Sequence, residues 1–397
     1  MSTTDAVTIT GLVEPGFEAV RSAFADNFEA GREVGAALCV HVGGRKVVDL
    51  CGGSFDPEGT RPYGPDALQL VFSSTKGATA ACANLLAQRG LLDLDAPVAD
   101  YWPEFGQAGK EALPVRFLLS HQAGLPAIDR TLTSEEVQAW SPVIDALAVQ
   151  VPFWEPGTAH GYHALTYGYL VGEVVRRVSG RSLGTFFAEE IAAPLGLEFH
   201  IGLPEALEPR VSPIVAAPIA GAARGTPGYS STLLARALNM GRAFGDLEWM
   251  NRPAWHAAEV PGGAGITNAT SLSRMYAGLF GTVEGGPAEP LLTREQMERA
   301  RTVLTFGADQ VFASVGFALH QQIGLGFWRS SPAAPFGGEG SFGHGGAGGS
   351  YGFADPEHGL AVGYVMNKMS AGVLGDPRAT GILSAVYAAV GAEAKYL

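Results

Sequence analysis

The chain has 397 residues, 26 basic and 39 acidic, for a formal charge of −13. With 47% hydrophobic and only 16% charged residues, it is too apolar for a disordered chain and long enough to bury a sizeable core. An acidic chain repels phosphate backbones, and no basic run of five or more residues occurs, so nucleic acid is not expected as a partner.

Phe17, Val20, Phe24 and Phe28 recur at spacings of three and four, which predicts a first helix over Gly16 to Ala30. Two strands follow, Ala36 to Val42 and Lys46 to Cys51. They are joined by Gly43-Gly44-Arg45, whose glycines suit the positive φ of a tight hairpin. From Ser73 to Arg89 the pattern turns helical, with Gly90 as the C-terminal stop. The middle of the chain predicts helices over Val115 to Ser120, Tyr167 to Val178, Leu183 to Ala193, Ser271 to Phe280 and Thr293 to Arg301. The most apolar stretch, Val211 to Ala223, is broken by Pro213 and Pro218 and is too short to span a bilayer. Near the end, Ser341 to Ala354 and Leu360 to Asn367 read as two strands around the turn Asp355-Pro356-Glu357-His358-Gly359, and a last helix covers about Ala379 to Val390. Strands at both ends with helices between predict one sheet assembled from the two termini. The expected division is an α/β lobe of about residues 1–72 and 260–397, with a helical lobe of about 73–259.

Met1-Ser2-Thr3-Thr4-Asp5 has no basic n-region and no apolar h-region, so a cytoplasmic protein with no membrane partner is expected. Cys39, Cys51 and Cys82 are an odd number without C-x-x-C spacing, and buried free thiols are expected rather than a disulfide framework. No H-E-x-x-H occurs, and His160 and His163 lack an evident third ligand, so neither a metal nor another cofactor is expected.

Ser73-Ser74-Thr75-Lys76 is a Ser-x-x-Lys at a predicted helix start. At about 3.6 residues per turn, positions 73 and 76 share a face, so the Lys76 amine can reach the Ser73 hydroxyl. Serine is a poor nucleophile until a neighbouring base takes its proton, and a helix start offers unpaired N–H groups to developing negative charge. Taken alone, the same pattern also describes a capping serine and a solvated lysine. A lysine is charged at neutral pH unless desolvated, so such a site gains from a second proton carrier. Tyr162, after the Pro156-Gly157 turn and before a helix, is a candidate, although it is equally an ordinary half-buried aromatic. The run Gly343-His344-Gly345-Gly346-Ala347-Gly348-Gly349-Ser350 leaves its backbone N–H groups unshielded, and one of them could hold an oxyanion together with that of Ser73.

In this order and approximate spacing, the three elements resemble the serine β-lactamase and penicillin-binding-protein superfamily. Phe117-Leu118-Leu119-Ser120-His121-Gln122-Ala123-Gly124-Leu125-Pro126 is similar to its L-L-S-H-x-S-G-L-P signature, and Tyr167-Gly168-Tyr169-Leu170 also fits. The resemblance runs from about residue 15 to 395, with the class C-like branch and its family VIII carboxylesterases nearest in pattern. It implies a β-lactamase/transpeptidase-like α/β (α+β) fold, an antiparallel sheet flanked by helices plus a mainly helical lobe. Ser73 would be the acylated nucleophile, Lys76 its proton-accepting neighbour and Tyr162 the general base and acid. Which of Lys76 and Tyr162 takes the first proton stays open. His344-Gly345-Gly346 would match the substrate-binding K-T-G, H-x-G or W-x-G box, and the N–H of Ala347 would complete the oxyanion hole with that of Ser73. His121 would be a packing and hydrogen-bonding residue.

Two departures bear on the substrate. Tyr162-His163-Ala164 replaces the common Tyr-x-Asn, and His344 stands where lysine often does. Both weaken the case for penicillins or D-Ala-D-Ala peptides and favour neutral esters. Two decoys compete. Gly348-Gly349-Ser350-Tyr351-Gly352 satisfies G-x-S-x-G, but only His358 follows as a histidine, eight residues on. Gly343-x-Gly345-x-x-Gly348 fits the dinucleotide fingerprint, but this segment is expected to continue as a strand instead of opening a helix. The expectation is a serine carboxylesterase acting on small, short-chain esters. An acyltransferase, or a β-lactamase or D-amino-acid peptidase, is the alternative within the fold, and a non-catalytic scaffold is the alternative outside enzymes.

Overall fold

The computed structural model describes residues 7–216, 229–240, 243–244, 248–370 and 376–397. Strand β1 (Ile9–Val13) precedes helix α1 (Glu18–Glu29), and the hairpin β2 (Gly35–Val42) and β3 (Arg45–Gly53) follows. The hairpin turns on Gly43 and Gly44 with φ of +56° and +77°, the conformation for which the glycines were needed. Next come β4 (Gln69–Leu70), α2 (Thr75–Gln88), α3 (Thr166–Ser179), β5 (Phe199–His200), β6 (Ile266–Thr267) and α4 (Ala269–Phe280). The chain closes with β7 (Trp328–Arg329), β8 (Phe342–Gly345), β9 (Tyr351–Asp355), β10 (Leu360–Met366) and α5 (Pro377–Ala389).

The principal sheet has seven antiparallel strands in the order β1-β3-β2-β10-β9-β8-β7, so β2 from the N-terminal part lies beside β10 from the C-terminal part. Both faces are covered, and side chains alternate between them as the two-residue period requires. Leu38 and Val40 of β2 and Val362 and Tyr364 of β10 pack under α1 and α5, against Phe24, Phe28, Ile382 and Leu383. Ala37, Cys39, Ala361 and Val365 face the other way, toward Leu272, Met275 and Leu279 of α4. At about 1.5–3 kcal/mol for each large apolar side chain removed from water, these two layers drive the assembly. Gly363 allows α4 to lie directly on the sheet, because a Cβ there would stand 2.4 Å from the Ala269 carbonyl oxygen. A second, small sheet runs β4-β6-β5.

Three expectations change. Ser341 to Ala354 is two strands, not one: β8 pairs antiparallel with β9, Gly345 opposite Tyr351, and the chain reverses over residues 346–350. Gly348 and Gly349 adopt φ of +82° and +121° there, and Gly346 N–H closes the turn on the Ser350 carbonyl at 2.7 Å. Glycine at three of the five turn positions hides the reversal, because the segment has no apolar period to read. The helix expected over Leu183 to Ala193 ends as an α-helix at Phe187 and continues as a π turn over Ala188–Ala192. Pro194 has no N–H to return to the Glu190 carbonyl, which removes one α-helical bond. Finally, α2 begins at Thr75, and Ser73 lies in the 3-10 turn Phe72–Ser74 before it.

All three cysteines are free and buried. Among the described residues no helix is long and apolar enough to cross a membrane. Residues 217–223 of the apolar stretch lie outside the described residues.

Candidate active site

The small sheet delivers Ser73. Leu70 of β4 pairs with Ile266 of β6, and the Val71 N–H donates to the Gly265 carbonyl at 3.0 Å. The chain then turns through Phe72, whose φ of +46° is rare for a bulky residue and costs on the order of 1–3 kcal/mol. Thr75 fixes this conformation by donating its hydroxyl to the Phe72 carbonyl at 2.5 Å and accepting the Gly265 N–H at 2.8 Å. Ser73 is left half-buried at the start of α2, where N–H groups lack intrahelical partners. It does not cap the helix. Neighbouring Ser74 is wholly buried, its hydroxyl turned toward β8 and Ser350.

Lys76, one turn on, is also wholly buried. Its Nζ lies 3.0 Å from Ser73 Oγ, 2.7 Å from the Ala164 carbonyl and 2.5 Å from the Gly262 carbonyl. Those two carbonyls come together because Gly168 of α3 packs on Gly262, where a Cβ would stand 2.1 Å from the Gly262 nitrogen. Burial drives the amine well below its usual pKa. A neutral amine has two N–H groups and one lone pair; the two carbonyls take the N–H groups, so the lone pair is left for the Ser73 hydroxyl.

Tyr162 arrives from the other side, its hydroxyl 2.7 Å from Ser73 Oγ. Burial pushes this phenol above its ordinary pKa, with the bond to Ser73 working against the rise. Lys76 Nζ also sits 4.9 Å from the centre of the tyrosine ring. The ring is walled by Trp328 at 5.6 Å and Phe312 at 6.3 Å between centroids. The backbone of Tyr162 is held by a residue that sequence reasoning did not single out: Asp309 Oδ2 accepts the Tyr162 N–H at 2.8 Å. The other oxygen, Oδ1, caps the short helix Gln310–Ala313 by accepting the N–H groups of Val311 and Phe312 at 2.8 and 2.9 Å. The local signal was an aspartate before an apolar pair, which predicts a cap; that the cap also serves Tyr162, 147 positions away, is a tertiary fact. Burial raises Asp309 to about 6 despite those three donors.

The histidines around the site are engaged in structure. His163 Nδ1 donates to the Gly161 carbonyl at 2.6 Å and Nε2 accepts the Leu125 N–H at 2.9 Å, so neither nitrogen is available to a ligand. His121, at φ +59°, accepts the His163 N–H at 3.1 Å on Nδ1 and stacks near Tyr167 at 4.9 Å, the packing and hydrogen-bonding role expected of it. Burial lowers His121 strongly and brings His163 and His344 to about 3, so all three are neutral near pH 7. His344 is wholly buried against Trp328, 4.5 Å between ring centroids, and its Nδ1 donates to the Gly345 carbonyl at 2.6 Å. It shapes the β8 edge from inside and offers no charge to a substrate. Among the described residues no three His, Cys, Asp or Glu side chains come together as a metal site.

The glycine turn lies against the Ser73 segment. Ser350 Oγ donates to the Val71 carbonyl at 2.9 Å and lies 3.3 Å from Ser74 Oγ. A Cβ on Gly346 would stand 2.3 Å from the Val71 carbonyl oxygen, so only glycine permits this approach. Ala347, next in the chain, is exposed at the tip of the turn. Ser350 is thus a buried fastener between two strands, not the elbow of a G-x-S-x-G hydrolase, and His358 is bonded to Asp355 instead of to it. The dinucleotide fingerprint fails for a reason other than the one expected: its segment turns back as a hairpin through a single 3-10 turn and opens no α-helix.

A sheet assembled from both chain ends, with a Ser-x-x-Lys helix start beside its edge, is the β-lactamase/transpeptidase-like fold, and the Beta-lactamase family model matches residues 20–387: the chain belongs to this family. It is 36% identical over 375 residues to Esterase/beta-lactamase LipL of Mycobacterium tuberculosis, an overlap of 91% of this chain and 83% of that protein. Among solved structures it is similar to a family VIII carboxylesterase, with 37% identity and a TM-score of 0.86 over 96% of this chain and 100% of that one. A penicillin-binding protein homolog from Caulobacter crescentus is similar at 36% identity and a TM-score of 0.83, covering 96% and 100% of the two chains.

Proposed function

We propose that this protein is a serine carboxylesterase that hydrolyses small neutral esters through an acyl-enzyme on Ser73. The observation that carries the reading is the convergence on one hydroxyl: Ser73 Oγ lies 3.0 Å from a buried amine and 2.7 Å from a buried phenol. Burial lowers the pKa of Lys76 and raises that of Tyr162, which favours Lys76 over Tyr162 as the group that takes the first proton from Ser73 as Oγ attacks the ester carbonyl. The carbonyl oxygen becomes an oxyanion held by the N–H groups of Ser73 and Ala347. As the intermediate collapses, the C–O bond to the alcohol breaks. Tyr162 gives its proton to the departing oxygen, and the proton that Lys76 took from Ser73 restores the phenol. Water then enters opposite the acyl carbonyl, loses a proton along the same path, and its attack releases the acid while Ser73 regains its hydrogen.

The electrostatics support a neutral substrate. His344 is uncharged, and the nearby amine of Lys76, its pKa lowered by burial, is committed to two carbonyls, which leaves little at the described site to pair with a substrate carboxylate. The relative named both esterase and β-lactamase keeps lactams in the assay as the second reading. Hydrolysis of p-nitrophenyl acetate and butyrate is to be compared with that of a chromogenic cephalosporin, in the wild type and in Ser73→Ala. Ester turnover abolished by the substitution, with little lactam cleavage, supports the proposal. Equal ester rates in both proteins refute Ser73 as nucleophile, and dominant lactam cleavage refutes the substrate class.

A further inference from the structure

The turn that carries Ala347 is built largely from glycine, which confers no stiffness of its own. On its front side Ser350 ties it to the Ser73 segment. Behind it lies a second tie that no motif announces. Arg378, in the first turn of α5, is 1% exposed and directs Nη2 at the Gly348 carbonyl. That carbonyl also accepts the Ser370 N–H at 2.9 Å.

Every donor of this guanidinium is used. Nη2 also reaches Asp376 Oδ2 at 2.5 Å, and Nε reaches Asp376 Oδ1 at 2.9 Å. Nη1 donates to Glu33 Oε2 at 3.1 Å and to the Lys368 carbonyl at 2.8 Å. Glu33 is itself buried and accepts the Tyr364 hydroxyl. The fit to the turn leaves no slack: a Cβ on Gly349 would stand 2.2 Å from both Arg378 Nη2 and Asp376 Oδ2. A lysine cannot reproduce this, because an ammonium is a point charge with three donors and no planar fork.

We infer that Arg378 is a positioning residue for the reaction, clamping the Gly348 carbonyl from behind so that the Ala347 N–H is held facing Ser73. The inference rests on the esterase reading above and on Ala347 as an oxyanion donor. A hydrogen bond aimed at a developing oxyanion acts on the transition state more than on the bound ester, so loosening the clamp lowers kcat and spares KM. A residue that merely glues α5 to the sheet has no such asymmetry.

The test uses the full chain with Arg378→Lys, and with Arg378→Met combined with Glu33→Gln so that Glu33 is not left as an unpaired buried carboxylate. Steady-state hydrolysis of p-nitrophenyl acetate is read with the inhibition constant of phenylboronic acid, which forms a tetrahedral adduct on an active serine, and with thermal unfolding. In protein that remains folded at the assay temperature, kcat is expected to fall at least tenfold in both variants with KM within about threefold. The boronate should weaken in parallel with kcat. Folded variants with kcat within twofold of wild type, or with KM rising as much as kcat falls, overturn the inference. So does failure of both variants to fold, which would assign Arg378 to overall stability. Wild type that turns over no ester would instead refute the esterase reading, so the two failures are told apart before any variant is made.

Discussion

Asp309 holds three backbone N–H groups and carries no partner charge among the causes of its shift, so its replacement isolates two separate physical effects. In Asp309→Ala the N–H groups of Tyr162, Val311 and Phe312 lose their acceptor. At about 1–3 kcal/mol for each buried donor left unpaired, and with some relaxation, the expected loss is about 3–5 kcal/mol. Freed at its N–H, Tyr162 drifts from Ser73, and kcat should drop about tenfold or more. Asp309→Asn removes the titration while keeping one of the two acceptor oxygens, a pH-independent loss that comparison across pH cancels. Burial raises the carboxyl from 3.8 to about 6. A folded pKa above the unfolded one means that the native state holds the proton more tightly. The resulting stability is therefore fully present below about pH 3.8 and is lost as pH rises through about 6. The gap of about two units is worth about 3 kcal/mol in full, about 2 kcal/mol of it between about pH 4.5 and about pH 7.5. Urea unfolding of wild type and Asp309→Asn across that range should show the wild type losing about 2 kcal/mol relative to the variant as pH rises. Taking the difference cancels the other carboxylates. A flat difference would mean that the three N–H donors fully offset burial, and the reasoning about this carboxyl would be wrong.

Four further outcomes follow from the same geometry. The lowered pKa of Lys76 means that the basic rise of kcat/KM should come well below pH 10.5, and that stability should decline as pH falls from about 10.5 toward the lowered value, because the unfolded lysine takes up a proton that the folded one refuses; a profile rising only above pH 10 would refute the lowered amine. Tyr162→Phe removes the hydroxyl 2.7 Å from Ser73 but keeps the ring between Phe312 and Trp328, so kcat should fall about 10²–10⁴-fold with little change in melting temperature, checked by ester turnover and calorimetry. Gly346→Ala forces the turn away from Val71, and urea unfolding should show a loss of about 1–3 kcal/mol alongside reduced turnover. Ser350→Ala should keep ester turnover to within about tenfold and leave labelling of Ser73 by a fluorophosphonate intact; loss of all labelling would restore Ser350 as a nucleophile.

Local chemistry made much of this protein legible in one dimension. The apolar pattern located α1, α2, α3 and α5 to within a few residues; α1 and α5 lay one face on a core, whereas α2 and the first part of α3 are buried all round. The Gly43-Gly44 hairpin was readable because only positive φ closes it. Ser73 and Lys76 were readable as a pair, because three residues along a helical turn bring two side chains together whatever the rest of the chain does. The strand β1 went unread, as did the two-residue strands β4, β5, β6 and β7, for such segments carry too little period of their own. The reversal at 346–350 was invisible for the opposite reason: glycine accepts both the strand and the turn, and pairing with Tyr351 decided between them.

What only the tertiary structure decided is the state of the chemistry. Sequence supplied a lysine with an ordinary pKa; it is wholly buried beside the Ala164 and Gly262 carbonyls, 88 and 186 positions away, and that burial lowers its pKa well below the ordinary value. Tyr162 was an aromatic in a loop until Asp309 fixed its backbone and Ser73 met its hydroxyl. His344 stood where a charge was a possibility, and burial beside Trp328 left it neutral. Residue type and short spacing are properties of the chain, whereas desolvation and hydrogen-bond partners at long separation exist only once the two ends of the chain have closed one sheet between them.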